Sequence, residues 1–450
     1  MAENNPVNYT GSESAEPQVW TTDLRKRPNR TTAKHIPCGH WHKRKVSATP
    51  TDELTFVDNP TYQGRWVYPT TRFNTHYMYI LEIDPRNTTL GEYGNGITSV
   101  VKVDLSASPP IATERLVLNS TYCGTFDPFR LLPAQRGPFC INKSGTRLFY
   151  LLRNYDYHWV AGYSPDRHAE LIEVDITGTY METVKKTILT DFFTLNTHVV
   201  NDCCADDDYS YWSLSDSTGR IVKIANGTHT IAQDYSIGVA STASIDCEGD
   251  YLYWAYKTAS YVSSFIRSDK SFNIITNQVI TQEPGRLFRI FDSILYASVE
   301  RNSLLYRNPI LKYDTDWVRD TGFYWIDGNI DYMQQIFGVR SGNLYILHMH
   351  PNTTGSNYLH CIDKNVGTDI ADKSISYWAG HGSGSFDWCW SSMAVIDPLS
   401  DVIAHLRYKE SDVNTGPTGL YKNWLATFSA DSGFTELTDS AIDYPTYSHY

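Results

Sequence analysis

Cysteine and histidine stand close together in the run Cys38-Gly39-His40-Trp41-His42. On an extended strand alternate side chains share a face, so the thiol and both imidazoles could approach the donor set of a tetrahedral metal site. Lys43, Arg44 and Lys45 follow at once and repel a further cation, so no metal is expected there. A second cluster gathers Asp202, Cys203, Cys204, Asp206, Asp207 and Asp208. Calcium needs about six to eight oxygens, drawn from alternate positions around a glycine. Consecutive aspartates lack that spacing and read as a turn between strands, with Cys203 and Cys204 on opposite sides of one strand. His348 and His350, with His360 nearby, read as strand residues facing a channel or a neighbouring unit.

The run Ser429-Ala430-Asp431-Ser432-Gly433-Phe434-Thr435 matches most of the Ser-x-Asp-x-Gly-x-Thr-Trp turn that recurs in sialidases, with Glu436 where Trp would stand. Ser215 to Gly219 is a looser echo. Sialidase chemistry also needs a triad of arginines beside a nucleophile and an acid/base carboxylate, and Arg72, Arg130, Arg267 and Arg289 are the arginines available for it. No Gly-x-Ser-x-Gly elbow and no Gly-rich phosphate loop occurs. Gly380-His381-Gly382-Ser383-Gly384-Ser385 reads as a loop between strands. The expectation is a protein without catalytic residues, cofactor or metal.

What would position such residues is a pattern repeated about seven times: a tyrosine-rich apolar run, then a second apolar run ending in Asp, Asn or Ser and a Gly-bearing turn. First runs begin at Tyr77, Leu148, Tyr209, Tyr251, Ile294, Leu344 and Val402; second runs begin near Val100, Leu171, Ile221, Ser264, Leu304, Leu359 and Leu425. Paired short strands at a period of some tens of residues are the signature of a β-propeller. The fold expected is therefore all-β, a propeller of six to seven four-stranded antiparallel blades with an extended N-terminal arm. Gly145, Gly249 and Gly342 fall where hairpins need positive φ. Blade boundaries are expected near 104–110, 177–179, 226–229, 268–273, 308–316, 364–369 and 431–434, where Pro, Gly, Asn and Asp cluster. Met181 to Leu189 is the best short helix candidate. The stretches 87–136 and 408–425 should hold surface loops that carry contacts.

The chain of 450 residues holds 32 Tyr and only 6 Met, as strand-rich cores prefer. Residues 1–50 read as the arm and 51–450 as the propeller. Net charge is −12, yet Arg25, Lys26, Arg27, Arg30, Lys34, Lys43, Arg44 and Lys45 lie within 24–45 with no acid among them. A basic arm on an acidic body suits docking on an acidic partner or meeting nucleic acid. The eight cysteines lack paired CxxC spacing and read as reduced strand thiols. No membrane span is expected, since no window of 18 apolar residues exists. The N-terminus lacks the basic start and apolar core of a secretion signal, so action in the cytoplasm, or release by lysis or within a particle, is expected. The Asn-x-Ser/Thr sequons, Asn142 and Asn226 among them, then read as a by-product of composition.

The segment Trp20-Thr21-Thr22-Asp23-Leu24-Arg25-Lys26-Arg27-Pro28 resembles the N-terminal signature of tail tubular protein B, the nozzle of short-tailed phages, in which Gly-Leu-x-Lys-Arg-Pro precedes a propeller. Leu24, Lys26, Arg27 and Pro28 match, and Asp23 stands at the usual Gly. The resemblance implies a virion protein made in the host cytoplasm, in a homo-oligomeric ring of the tail below portal and adaptor proteins, around a channel that passes DNA transiently. Arg25, Lys26, Arg27 and Arg30, with the later lysines, would dock on neighbouring subunits. The alternatives are a glycan- or receptor-binding propeller and, third, a propeller glycosidase.

Overall fold

The protein is represented by a computed structural model that describes residues 66–71, 74–84, 97–119, 139–154, 168–190, 192, 199–215, 218–238, 243–259, 262–281, 285–299, 309–326, 333–349, 357–375, 393–411, 420–430 and 433–441. Their strands form seven antiparallel sheets, each a meander in chain order. Blade 1 holds β1 (Trp66–Thr71), β2 (Tyr77–Asp84), β3 (Ile97–Asp104) and β4 (Ile111–Asn119); blade 2 holds β5 (Phe139–Ile141), β6 (Arg147–Asn154), β7 (His168–Asp175) and β8 (Glu182–Leu189). Blade 3 holds β9 (Val199–Ala205), β10 (Tyr209–Ser215), β11 (Arg220–Ala225) and β12 (Ile231–Ser236); blade 4 holds β13 (Ala243–Glu248), β14 (Tyr251–Ala259), β15 (Val262–Asp269) and β16 (Ile274–Thr281). Blade 5 has three strands, β17 (Gly285–Phe291), β18 (Ile294–Val299) and β19 (Ile310–Tyr313). Isolated bridges from Trp325 to Ile310 and from Arg319 to Tyr313 stand in for its fourth. Blade 6 holds β20 (Met333–Arg340), β21 (Asn343–Met349), β22 (Asn357–Asp363) and β23 (Asp369–Ile375); blade 7 holds β24 (Met393–Ile396), β25 (Val402–Ser411), β26 (Leu420–Ser429) and β27 (Glu436–Ala441).

The core explains why the blades form a ring. Successive residues of a strand point to opposite faces, and in the second strands both faces are apolar. Met78 and Ile80 pack on Val395, Ala404 and Leu406 of blade 7, while Tyr79 and Leu81 pack on Leu148, Tyr150 and Ile172 of blade 2. Seven such clusters occur among the described residues, one per junction, and they close from blade 7 back to blade 1. The first strands β1, β5, β9, β13, β17, β20 and β24 abut one another around the axis. This is a seven-bladed β-propeller. Residues after Thr435 belong to blade 7 as β27, so blade 1 is built wholly from its own contiguous strands.

Three sequence expectations are corrected. The Asp- and Gly-rich segments read as blade boundaries are mostly hairpins between third and fourth strands; the true boundaries lie one strand later. Both use the same turn chemistry, and the fourth strand was invisible because one face is solvated, as in β12 with every residue exposed or half-buried. Met181 to Leu189 is not helical: it leads into β8, whose alternating exposure is a period of two. The second run near Leu304 lies outside the described residues, and the third strand of blade 5 is β19 instead.

The repeated pattern also encodes how blades grip each other. Third strands end in Asp104, Asp175, Asp269 and Asp363, whose Oδ1 atoms accept the amides of Ser106, Thr177, Ser271 and Asn365, each at 2.7–2.9 Å. Such self-bonded turns are the local reason for Asp at that place. A charged residue precedes the turn at the same spacing in blades 1 to 4 and reaches the corresponding turn of the next blade. Lys102 donates to the Thr179 carbonyl and Lys223 to that of Lys270. Glu173 accepts the Gly227 amide, and Arg267 pairs with Asp316. Tyrosine hydroxyls serve the next two junctions, Tyr296 to the Lys364 carbonyl at 3.2 Å and Tyr345 to that of Ala430 at 2.7 Å. The last junction is closed by His76 Nδ1 and Asp397 Oδ2, 2.8 Å apart.

Candidate functional site

A four-stranded meander places its two tight hairpins on one face of the ring and its remaining connections on the other. The hairpin face is rich in Asp, and these groups tie blades together. Asp207 accepts the Asn142 Nδ2 and Ser144 amide of blade 2 at 2.8 and 2.9 Å. Glu248 accepts the Ser293 amide of blade 5, and Arg340 pairs with Asp401 of blade 7. The described strands that flank residues 85–96, 120–138, 155–167, 376–392 and 412–419 end on the opposite face. That face is the candidate interaction face, because the longest connecting stretches of sequence start and finish there, and connections on a rigid scaffold are free to vary in contact chemistry.

Asp206, Asp207 and Asp208 form the hairpin between β9 and β10, but they do not converge. Asp206 accepts the amides of Asp208 and Tyr209 and pairs with Lys270 Nζ at 2.7 Å. Burial works to raise its pKa, yet Lys270 and those amides outweigh burial and hold the carboxyl below its usual range. Asp207 turns the other way, to blade 2. Cys203 packs toward blade 2 and Cys204 toward blade 4, on opposite faces of β9 as expected.

Asp202 is a fully buried charge. Its Oδ2 accepts from Arg289 Nη1 at 3.0 Å, from Ser244 Oγ at 2.9 Å and from the Ile245 amide at 3.1 Å. The network joins first strands of three successive blades, β9, β13 and β17. Gln335 does related work between blades 6 and 7, bonding the amide and carbonyl of Ala394 at 2.8 and 2.9 Å. The acids of the described first strands, Asp202, Asp246 and Glu248, are thus engaged with amides or with Arg289, because the pleat aims side chains at neighbouring blades.

Of the arginines considered for a triad, Arg267 stacks on Tyr251 and pairs with Asp316, while Arg289 is buried with Asp202. Each belongs to a different junction, and the two do not converge; Arg72 and Arg130 lie outside the described residues. At the sialidase-like run 429–435, of which Asp431 and Ser432 lie outside the described residues, the Ser429 amide donates to the Thr435 carbonyl at 2.8 Å just before β27. His348 and His360 share the blade 6 face toward blade 5, ring centroids 5.7 Å apart, and His360 meets Trp325 edge-on. Cys140, Cys203, Cys204, Cys247 and Cys361 are free and buried. Among the described residues no helix is long and apolar enough to cross a membrane. The arm residues Leu24, Arg25, Lys26, Arg27, Pro28, Arg30, Lys34, Lys43, Arg44 and Lys45, the cluster at 38–42, His350 and the loop 380–385 lie outside the described residues.

Sequence reasoning missed two features. The interblade clamp was present in the spacing of a charge two residues before the end of the third strand in blades 1 to 4, but nothing local tells where a long side chain reaches. The rim was hidden for the same reason as the fourth strands. Val184, Ile188, Ile275 and Val279 are more than half exposed, at 51%, 55%, 52% and 58%, on the outermost strands of blades 2 and 4.

No protein-family model matches the sequence, and no curated protein matches it. Among solved structures the chain is similar to the β-propeller domain of Myceliophteria thermophila Cps50 (Swd1), at 9% identity, covering 76% of this chain and 93% of that chain with a TM-score of 0.48. It is also similar to a chain in the complex of KlAtg21 with the coiled coil of AgAtg16, at 10% identity over 81% and 96% of the two chains, TM-score 0.46. A third is dihydro-heme d1 dehydrogenase NirN in complex with DHE, at 10% identity over 89% and 76%, TM-score 0.45. The propeller assignment stands on the strand order and the seven junction clusters.

Proposed function

We propose that this propeller is a non-enzymatic assembly protein, a subunit of a homo-oligomeric ring in a virion tail of the kind the phage nozzles exemplify. The observation that carries the reading is the rim. Among the described residues, outer strands β8 and β16 have no strand paired on their outward edges, and Val184, Ile188, Ile275 and Val279 on them are exposed. Natural sheets blunt such edges unless a partner covers them. The basic segment containing Arg25, Lys26 and Arg27 adds a charged means of docking on the acidic body of a neighbour or on other tail proteins, with DNA passing the ring transiently. The test is the mass of the purified full chain in solution across a range of concentrations. Assembly above the monomer is expected, and it should weaken when Arg25, Lys26 and Arg27 are replaced by Glu. A monomer at every concentration overturns the reading.

A second reading, recognition of a glycan or receptor, draws on the described strand ends that flank the longest connecting stretches, which share one face. A glycan array separates the two, since a tail-ring subunit should show no saccharide preference.

A further inference from the structure

Between blades 3 and 4 two thiols and a carboxylate meet. Cys204 on β9 and Asp246 and Cys247 on β13 bring one donor atom each within 4.8 Å of one another, and all three residues are buried. Asp246 folds back along its own strand, Oδ1 accepting the Cys247 amide at 3.0 Å, while Oδ2 lies 3.4 Å from the Ile290 amide of blade 5. Asp202 holds the same station one blade earlier, accepting the amide of its own successor, Cys203, and that of Ile245 on the next first strand. There Arg289 meets the carboxylate. At Asp246 two sulfurs approach it instead.

We propose that Cys204, Asp246 and Cys247 form a divalent-metal site of the thiolate class, with zinc as the ion. Two sulfurs and one carboxylate are a donor set that zinc accepts, and a tetrahedral ion keeps one further position for water. Binding releases one proton from each thiol to solvent and brings in two positive charges, so the buried site gains no net charge. Because the ligands come from the first strands of two blades, the ion would pin that junction near the axis, inside the cluster formed by Tyr211, Ile245, Leu252 and Trp254.

The test uses the reduced full-length chain, stripped of metal by a chelator and titrated with cobalt(II), then zinc(II). A thiolate-to-cobalt charge-transfer band that reaches a stoichiometric end point and is displaced by zinc is expected. It should survive Cys38→Ser and Cys203→Ser and vanish in Cys204→Ser and Cys247→Ser. Asp246→Asn should keep the band and weaken cobalt affinity by about tenfold or more. A wild-type chain without the band, or a band lost with Cys38→Ser and kept with Cys247→Ser, overturns the assignment. A second readout avoids dependence on variant folding: zinc should slow alkylation of Cys204 and Cys247 relative to Cys140 and Cys361, read by mass spectrometry. Equal protection of all four, or a Cys204–Cys247 disulfide in the reduced preparation, overturns it as well.

Discussion

Lys223 Nζ lies 3.9 Å from the centroid of the Tyr209 ring. The same pairing recurs as Lys102 over Tyr77 at 4.3 Å and Arg267 over Tyr251 at 3.9 Å. In each blade the tyrosine opens the second strand and the cation stands two residues before the end of the third. The ring steers the cation toward the next blade's turn, so one local motif makes a non-local contact three times.

Replacing Lys223 by Met keeps the aliphatic stem and removes both the ring contact and the bond to the Lys270 carbonyl. A loss of about 1–2 kcal/mol in urea unfolding is expected. A double-mutant cycle with Tyr209→Leu should show coupling of about 0.5 kcal/mol or more. Strict additivity would remove the steering role of the ring.

Acid should loosen the ring through Glu173. Burial pushes its carboxyl up, but the bonds from His229 and the Gly227 amide, with Arg147 nearby, outweigh burial and hold it below the usual range. A depressed carboxyl contributes stability above its unfolded pKa, about 4.3, and loses that contribution as pH falls through its folded value. Glu173→Gln should cost about 2–3 kcal/mol at pH near 7 and flatten the acid loss. Urea midpoints at neutral and acid pH check both.

Glu114 carries the opposite sign. Burial raises its carboxyl pKa despite the Met181 amide, which both oxygens accept at 2.8 Å. Ionisation therefore opposes folding at neutral pH, and this opposition fades as pH falls through the raised value. Glu114→Gln keeps an acceptor for Met181 and should be neutral or stabilising by up to about 1 kcal/mol at neutral pH. A clear destabilisation in thermal melts would contradict this.

The buried pair of Asp202 and Arg289 should be asymmetric under substitution. Arg289→Met alone leaves a buried carboxylate without its guanidinium and should cost about 3–5 kcal/mol. Adding Asp202→Asn should restore part of that loss, as read from chemical denaturation.

Glycine substitution separates two turns that look alike in sequence. Gly342 and Gly367 have φ of +86° and +74°, yet a Cβ on Gly342 meets nothing within 4 Å, whereas one on Gly367 would lie 2.6 Å from the Tyr324 carbonyl oxygen. Gly342→Ala should cost about 1 kcal/mol from the left-handed backbone alone. Gly367→Ala should cost more, because the blade 5 segment must also move; melting temperatures of the two variants decide it.

The amino-acid sequence by itself determined whatever is local and periodic. Tyr77, Leu148, Tyr209, Tyr251, Ile294, Leu344 and Val402 each mark a second strand, since both faces of that strand are buried and leave an unbroken apolar run. The Asp-ended third strands were legible because a carboxylate bonding its own turn is a short-range event. Fourth strands were not, for a half-solvated strand carries mixed residues such as Glu182, Val184, Lys186 and Ile188. Only the tertiary structure decided that Asp206 and Asp207 turn to different blades, that Arg267 and Arg289 belong to separate junctions, and that Cys204 meets Cys247 across one. Those relationships join positions tens of residues apart, and their geometry comes from closing seven sheets into a ring, a constraint that no window of sequence contains.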